Sequence, residues 1–195
     1  MIDIKEIISI ATNAGNAIMN IYNQSDKAME IEYKDDNSPL TKADKESHSI
    51  ICSSLKNLFP EIPVLSEEGS DTPYLNRKNW RQFWLIDPID GTKEFIKKNG
   101  EFTVNIALID NNSPILGIVY APVLQKYWYG SKKGSYIIEK NKKKRISINQ
   151  KTNQTIKIVA SRSHSSQFLN QFLNCFKNYD LVNMGSSIKI CLVAE

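Results

Sequence analysis

Apolar residues at three- and four-residue intervals near the start of the chain predict an amphipathic helix over residues 2–23. A second helix is predicted to begin after Thr41, which has the form of an N-cap with an acid, Asp44, three residues later. The apolar stripe of this helix ends at Pro60. The continuous apolar run at residues 83–86 predicts a strand that is buried on both faces.

The rest of the chain is dominated by short segments that are typical of strands. Residues 110–113 predict a hairpin connection between the first two of them, and the segment that starts at Gly185 predicts the first turns of a buried helix. The whole pattern predicts an α+β fold with mostly antiparallel strands and helices packed on the sheet. The predicted strands are 102–109, 114–122, 126–130, 136–139 and 156–160.

Composition excludes several protein classes but names no function. The chain has 195 residues, 41% of them hydrophobic, and a formal net charge of +4, which is ordinary for a globular protein and excludes collagen-like and low-complexity chains. Its three cysteines are far apart in the sequence and predict reduced thiols in a cytoplasmic protein. No signal peptide and no apolar run long enough to cross a membrane are found, and peripheral contact with the cytoplasmic face of a membrane is left open.

Acidic residues recur where predicted elements begin or end. Asp44 lies near a helix start, Glu67 follows a short strand, and Asp87 and Asp90 follow the apolar run. If these carboxylates converge, they repel one another unless a cation neutralises them, and a set of oxygen ligands without His or Cys favours Mg²⁺. The alternative interpretation is that each acid only caps a helix or solvates a loop.

The sequence around these acids resembles that of a known enzyme family. Residues 84–96, Trp-Leu-Ile-Asp-Pro-Ile-Asp-Gly-Thr-Lys-Glu-Phe-Ile, resemble the first signature of the inositol monophosphatase superfamily of Mg²⁺-dependent phosphatases. Segments 64–69, 99–107, 159–164 and 185–189 resemble, in the right order, its branch of CysQ-type 3′(2′),5′-bisphosphate nucleotidases. The resemblance implies a layered αβαβα sandwich with an N-terminal α+β domain at 1–150. The start of a C-terminal αβ domain is expected at 151–195, so that the second αβ layer is incomplete.

The resemblance also implies a role for individual residues. Glu67, Asp87 and the carbonyl of Ile89 would hold one Mg²⁺, Asp87 and Asp90 would share a second, and a third ion is left open. Asp44 and Thr92, together with Glu67, would be catalytic, with the Asp44–Thr92 pair orienting and activating the attacking water. The residues expected to contact the substrate are Glu67, Ile89, Asp90, Gly91, Thr92, Ser161, His164, Gly185 and Lys189.

The function that the resemblance implies is removal of the 3′-phosphate of 3′-phosphoadenosine-5′-phosphate, or of the related sulfate donor, in sulfur metabolism. The products would be phosphate and, from the first of these substrates, AMP. Family members carry a second signature, a Trp-Asp pair that completes the second metal site, and no Trp of this sequence is followed by Asp. We therefore expect a chain truncated relative to the family. The alternatives are an inositol monophosphatase-like enzyme and an inactive remnant that binds metal or nucleotide weakly.

The basic run at residues 140–145 raises the possibility of nucleic-acid binding. A solvated hairpin turn is the favoured explanation of the run, since no interleaved aromatic residues provide a stacking platform. We expect a small bisphosphate nucleotide as the partner rather than a nucleic acid. The oligomeric state is left open.

Overall fold

The computed structural model describes residues 2–69, 72–148, 155–163 and 167–195. The helices are α1 (Ile4–Tyr22), α2 (Lys42–Leu58), α3 (Tyr74–Arg77), α4 (Thr92–Ile96), α5 (Gln167–Leu173) and α6 (Ile188–Ala194), with a 3₁₀ turn at Asp26–Met29. The strands are β1 (Glu32–Tyr33), β2 (Pro39–Leu40), β3 (Val64–Ser66), β4 (Gln82–Asp90), β5 (Thr103–Asp110), β6 (Ser113–Ala121), β7 (Lys126–Ser131), β8 (Gly134–Glu139), β9 (Lys142–Ile146), β10 (Ile156–Ser161) and β11 (Tyr179–Met184). The prediction of a mixed α+β fold is confirmed.

A seven-stranded sheet, β3-β4-β5-β6-β7-β8-β9, organises most of the described chain. The strands from β4 to β9 pair antiparallel in sequence order, as the alternating pattern and the predicted hairpin at 110–113 indicated, and β3 joins the edge parallel to β4. At the other edge, β9 carries much of the basic run, and its side chains from Lys142 to Arg145 are exposed. Charged side chains on an edge strand discourage pairing with other chains.

Helices α1 and α2 cover one face of this sheet. The apolar stripe of α1, which includes Ile7, Ile10 and Ile18, is completely or nearly completely buried, and Ile51 and Leu55 of α2 lie in the same core as Trp84 on β4. Burial of such side chains contributes about 1.5–3 kcal/mol each to the hydrophobic driving force. This face therefore fixes the position of α2 relative to β4, and both elements carry predicted site residues.

The start of α2 agrees closely with its sequence pattern. Thr41 is the N-cap, and the Asp44 carboxylate at the third helical position accepts a hydrogen bond of 2.8 Å from the Thr41 backbone N–H. The Thr41 hydroxyl donates to the same carboxylate oxygen. This capping arrangement holds Asp44 in one orientation. Thr41 and Asp44 are both fully buried.

The prediction that residues 83–86 are buried on both faces is wrong for Leu85. Trp84 and Ile86 are buried under the two helices, but Leu85 points to the opposite face and is 43% exposed. Buried and more exposed side chains therefore alternate along this part of the strand, as expected where only one face of a sheet is fully covered. The continuous apolar run does not reveal this alternation.

A β-bulge interrupts β4 between Asp87 and Asp90. Asp87 pairs with Asn105 and Asp90 pairs with Thr103, so three steps along β4 correspond to two steps along β5. Successive side chains on a regular strand point to opposite faces, so residues three apart would diverge. The extra residue of the bulge compensates for this and turns both carboxylates toward the same side.

The opposite face of the sheet receives α6. Ile188 and Cys191 of α6 are buried against Ala121 and Trp128 of the sheet. Strands β10 and β11 form a separate parallel pair, which is connected to α6 through β11. The predicted domain boundary between residues 150 and 151 lies outside the described residues. Within the described part of the chain, no helix combines the length and apolar character that a bilayer-spanning helix requires.

The bulge depends on a hydrogen bond from α2, and this bond provides a test of the packing. Ser47 is fully buried, and its hydroxyl donates to the Pro88 carbonyl at 2.9 Å. We expect Ser47→Ala to reduce the free energy of unfolding by about 1–2 kcal/mol, because it leaves a buried carbonyl without this partner. Urea denaturation monitored by tryptophan fluorescence measures the change.

The matched control is Ser53→Ala on the same helix. Ser53 is exposed, and its hydroxyl bonds only the Ile50 carbonyl of its own helix, at 3.2 Å. We expect a change within about 0.5 kcal/mol. Equal effects of the two substitutions would contradict a special role for the bond to Pro88.

Candidate active site

Asp44 is the most deeply buried of the predicted site residues. One of its carboxylate oxygens, Oδ2, is held by the N-cap Thr41 as described above. The other, Oδ1, accepts a hydrogen bond of 3.2 Å from the hydroxyl of Thr92 at the start of α4. The structure thus places Asp44 and Thr92 in contact, as the family resemblance implied.

Thr92 also approaches the bulge of β4. Its hydroxyl lies 3.3 Å from the Ile89 carbonyl oxygen and shares its hydrogen between this acceptor and Asp44. Gly91, directly before it, has a φ of +94°, a conformation that glycine adopts without strain. A Cβ at Gly91 would lie 3.0 Å from the Glu101 carbonyl oxygen, so a side chain there would be crowded as well as strained in its backbone conformation.

Glu67 lies in the turn that follows β3. Its backbone N–H donates to the Ile86 carbonyl at 3.1 Å, which fixes this turn beside β4. Its side chain is about half exposed and forms an ion pair of 3.3 Å with Lys34, while Glu68 binds the same lysine at 2.6 Å. Lys34 comes from the loop between β1 and β2, so a third part of the chain reaches the acidic group.

Asp90 is bound by groups from α6. The backbone N–H and the hydroxyl of Ser187 both interact with its carboxylate, and Lys189 adds a favourable charge. The Ser187 hydroxyl also contacts the side chains of Thr103 at 2.9 Å and Asn105 at 3.0 Å on β5. These contacts anchor the beginning of α6 beneath Asp90.

Most of the predicted site residues line one cavity of about 300 Å³. Asp44, Asp87 and Ile89 are not among its lining residues. Asp44 is buried in α2, and Asp87 and Ile89 lie in the part of β4 that precedes Asp90. The predicted substrate contact His164 lies outside the described residues. The cavity is lined by Ser38, Pro39, Glu67, Asp90, Gly91, Thr92, Lys93, Glu94, Ser161, Gly185, Ser186 and Lys189.

The burial and closeness of the acids change their pKa values. Burial, which is the largest cause, and the nearby charges of Glu67, Asp90 and Asp44 together raise the pKa of Asp87 to about 8. Burial likewise raises the pKa of Asp44 to about 6, against the hydrogen bonds from Thr41 and Thr92 that favour its charged form. Burial also raises the pKa of Asp90. The site therefore concentrates negative charge that the described protein groups do not balance.

Whether the site fits Mg²⁺ can be judged from its donor atoms. Glu67, Asp87, Asp90 and the Ile89 carbonyl offer only oxygen, the ligand type of hard divalent cations. The Oδ1 atom of Asp87 is buried and has no hydrogen-bond partner among the described residues. A buried polar atom without a partner costs stability, and a cation would remove that cost. These residues fit the predicted ion.

The ligands are not assembled in the arrangement that a bound ion would require. Across residues 2–69, 72–148, 155–163 and 167–195, no group of three or more His, Cys, Asp or Glu side chains already has metal-binding geometry. The ion pair between Lys34 and Glu67 accounts for part of this, since it directs the Glu67 carboxylate to a lysine. Coordination through Oε1 of Glu67 would therefore compete with this ion pair.

The segment before α6 is held by Glu101, which follows α4 in the chain. Arg162 forms a bidentate pair with Glu101, with both N–O distances 2.7 Å, and the Gly185 backbone N–H donates to the same carboxylate at 2.7 Å. A Cβ at Gly185 would lie only 2.6 Å from Cγ of Glu94. Gly185 is therefore a position of close approach, which places Ser186 and Lys189 at the cavity.

Sequence reasoning missed Lys34, Lys93 and Ser187. The Gly185-Ser-Ser-Ile-Lys189 segment drew attention to its glycine and lysine only, although a serine directly before a helix is a recognised capping signal. Nothing in the sequence pairs Lys34 with Glu67, because 33 positions separate them and the contact depends on how the β1–β2 loop folds back.

Comparison with known proteins identifies the family of this chain. The model of the inositol monophosphatase family matches residues 3–195. A 3′(2′),5′-bisphosphate nucleotidase CysQ from Salmonella typhimurium is 45% identical over 193 residues, which cover 98% of this chain and 76% of that protein. The crystal structure of CysQ from Bacteroides thetaiotaomicron, described as a bacterial member of the inositol monophosphatase family, matches with a TM-score of 0.83 and 37% identity, over 98% of this chain and 75% of that one.

A more distant structure shows that the fold extends beyond these relatives. The extragenic suppressor protein suhB from Bartonella henselae matches with a TM-score of 0.80 at 18% identity, over 97% of this chain and 73% of that one. This likeness concerns the fold alone. The family match over nearly the whole length confirms the resemblance seen in the sequence, and the chain belongs to the inositol monophosphatase family.

Proposed function

We propose that this chain is a Mg²⁺-dependent phosphatase that removes the 3′-phosphate of a 3′(2′),5′-bisphosphate nucleotide, such as 3′-phosphoadenosine-5′-phosphate. The observation that carries the proposal is the convergence of Asp44, Glu67, Asp87 and Asp90, from three separate parts of the chain, beside the hydroxyl of Thr92. The names of the relatives with 45% and 37% identity support the choice of substrate.

The Asp44–Thr92 pair would handle the proton of the attacking water. Thr92 donates its hydroxyl hydrogen toward Asp44, which leaves the lone pairs of Oγ1 available to accept a hydrogen bond from water. As the water attacks phosphorus and the ester bond to the sugar oxygen breaks, the proton of the water would pass through the Thr92 hydroxyl to Asp44. The departing sugar oxygen would take up a proton from solvent. A pKa of about 6 suits Asp44 to accept a proton near neutral pH.

Glu67, Asp87, the Ile89 carbonyl and Asp90 would hold Mg²⁺. When bound, this ion lowers the pKa of water and stabilises charge on the transferring phosphoryl group. Gly91 brings the backbone close to the cavity without a side chain in the way, so the scissile phosphate can approach Thr92. The number of ions, two or three, is part of the proposal.

The second phosphate of the substrate would lie near Lys189. This lysine lines the same cavity as Asp90, and its Nζ atom donates to the Ser186 carbonyl at 2.6 Å, which holds it in place. Ser161 and Gly185 line the cavity on the same side. A cavity lined by both acids and a lysine suits a molecule with two phosphates. The acids would bind one phosphate through a metal ion, and the lysine would bind the other directly. A cytoplasmic location and peripheral membrane contact remain predictions.

The test of this proposal is phosphate release from three substrates with Mg²⁺ present. We expect turnover of 3′-phosphoadenosine-5′-phosphate, a higher KM for 3′-AMP, which lacks the second phosphate, and little release from inositol 1-phosphate. A preference for inositol 1-phosphate would replace the nucleotidase assignment by an inositol monophosphatase-like one. Absence of release from all three would favour a remnant without activity.

Asp87→Asn separates the metal site from the fold. An acid whose pKa is raised in the folded state destabilises the fold as pH rises from its usual value of 3.8 toward 8, since the unfolded chain ionises first. At pH 8 we expect metal-free Asp87→Asn to melt at the same temperature as the unsubstituted protein or a few degrees above it. Its Mg²⁺-induced rise in melting temperature should be lost, and phosphate release should fall at least about 100-fold.

Two controls accompany this experiment, both read by differential scanning calorimetry. The Mg²⁺-induced rise of the unsubstituted protein should be larger at pH 8 than at pH 6, since Mg²⁺ competes with the proton on Asp87. Asp110→Asn, at the far end of β5, removes a carboxylate that faces Arg81 at 3.5 Å and should leave the response to Mg²⁺ unchanged. A full Mg²⁺ response in Asp87→Asn would contradict the ligand assignment.

Thr92→Val tests the role of the hydroxyl. The substitution keeps the shape of the side chain and removes the donor to Asp44, so we expect kcat to fall about 10²–10³-fold with little change in Mg²⁺ affinity. Thr92→Ser, which keeps the hydroxyl, should recover most of the rate. A parallel loss of Mg²⁺ affinity in Thr92→Val would mean that the hydroxyl organises the metal site rather than the water.

A further inference from the structure

His48 joins two parts of the site that the sequence does not connect. It lies on α2, four residues after Asp44 and therefore on the same side of the helix. Its Nδ1 atom is 2.8 Å from the hydroxyl of Ser66, the last residue of β3. Ser66 directly precedes Glu67. A single side-chain contact thus connects the helix that carries Asp44 to the turn that carries Glu67.

The Ser66 hydroxyl organises that turn. It accepts a hydrogen bond of 3.3 Å from the Glu68 backbone N–H, and the Ser66 carbonyl accepts one of 3.1 Å from Gly69. With the hydrogen of the imidazole on Nε2, Nδ1 accepts a hydrogen bond from the Ser66 hydroxyl. The Glu68 N–H then donates to Ser66 Oγ and the Ser66 hydroxyl donates to His48, so each of these two bonds has one donor and one acceptor. The conformation of the turn is therefore coupled to the position of the imidazole.

The imidazole is itself held in place. Cys52, one helical turn further along α2, lies with its Sγ atom 3.7 Å from Nδ1 and 3.8 Å from Nε2. A Cβ on Gly69 would lie 3.8 Å from Cε1 of His48, so the backbone of the turn is close to the ring. The ring is partly buried between its own helix and the turn, an arrangement that restricts its rotamers.

We propose that His48 is a positioning residue, which holds the Glu67 turn at a fixed distance from Asp44 through its hydrogen bond to Ser66. The Glu67 side chain is about half exposed and contacts Lys34 and Asp87, so its position depends on the turn that carries it. The Glu67 backbone N–H fixes the start of this turn to β4, and the contact between His48 and Ser66 adds the connection to α2. Loss of the restraint would loosen the turn and weaken the contribution of Glu67 to Mg²⁺ binding. The part of the inference that concerns Mg²⁺ rests on the proposed function, whereas the part that concerns the turn does not.

Amide hydrogen exchange, measured by NMR on the metal-free protein, tests the turn directly. We expect His48→Ala to accelerate exchange of the Glu68 and Gly69 amides about 3- to 10-fold, the change that loss of one hydrogen bond produces. Ser66→Ala also removes the acceptor of the Glu68 N–H and should accelerate exchange at least as much. Adding His48→Ala to Ser66→Ala should change little further, because the bond between the two side chains is already lost. Exchange within twofold of the unsubstituted protein in His48→Ala would overturn the inference.

Conservative variants distinguish the hydrogen bond from packing. His48→Asn keeps a hydrogen-bonding atom near the position of Nδ1 and should restore slow exchange, whereas His48→Gln places its amide near Nε2 and should not. Cys52→Ala removes a contact with the ring but leaves the bond to Ser66, and it should leave exchange of the turn unchanged. Equal acceleration in His48→Asn and His48→Ala would contradict a role for the hydrogen bond.

Isothermal titration with Mg²⁺ alone tests the consequence for the metal. We expect the dissociation constant to rise about 3- to 10-fold in His48→Ala and Ser66→Ala and to stay near the unsubstituted value in His48→Asn and Cys52→Ala. A lowered melting temperature with unchanged Mg²⁺ affinity and unchanged exchange would show a purely structural role and overturn the inference. If the unsubstituted protein binds no Mg²⁺, the proposed function fails, and amide exchange alone decides the role of His48.

Discussion

The mutual repulsion of buried carboxylates is the constraint on which the site depends. Asp87 has a raised pKa because it is buried and surrounded by other acids, and one of its oxygens has no hydrogen-bond partner among the described residues. A protein that served stability alone would replace such a group with an amide or an apolar residue. The remainder of the fold must hold these acids together against their repulsion, which explains why the helix α2, the bulge of β4 and the turn after β3 are so closely interconnected.

The bulge of β4 is the local solution to this constraint. It turns Asp87 and Asp90 to the same side of the strand, and the Pro88 carbonyl within it is bound by Ser47 from the buried face of α2. Because Asp44 lies on the same helix as Ser47, the apolar packing of α2 against the sheet also fixes the distance between Asp44 and the bulge. The hydrophobic core thus supplies the rigidity that the charged site lacks.

The sequence predicts most of the elements and names candidate site residues, but it does not predict their geometry. The period of apolar residues predicts α1 and α2, and the Thr41–Asp44 pattern predicts the helix start, because these features depend on neighbours along the chain. The exposure of Leu85 could not be predicted, since a run of apolar residues looks the same whether one face or both are covered. The ion pair between Lys34 and Glu67 depends on a long-range approach that local pattern does not encode.

The contacts of Ser187 show why the site needs residues from distant parts of the chain. Its hydroxyl and backbone N–H interact with Asp90, and the same hydroxyl contacts Thr103 and Asn105 on β5. These interactions lower the pKa of Asp90, but burial outweighs them and the net shift is upward. Hydrogen bonds from the protein therefore do not compensate fully for the charge of Asp90. This uncompensated negative charge costs stability. A bound cation would offset it, so the same charge favours cation binding.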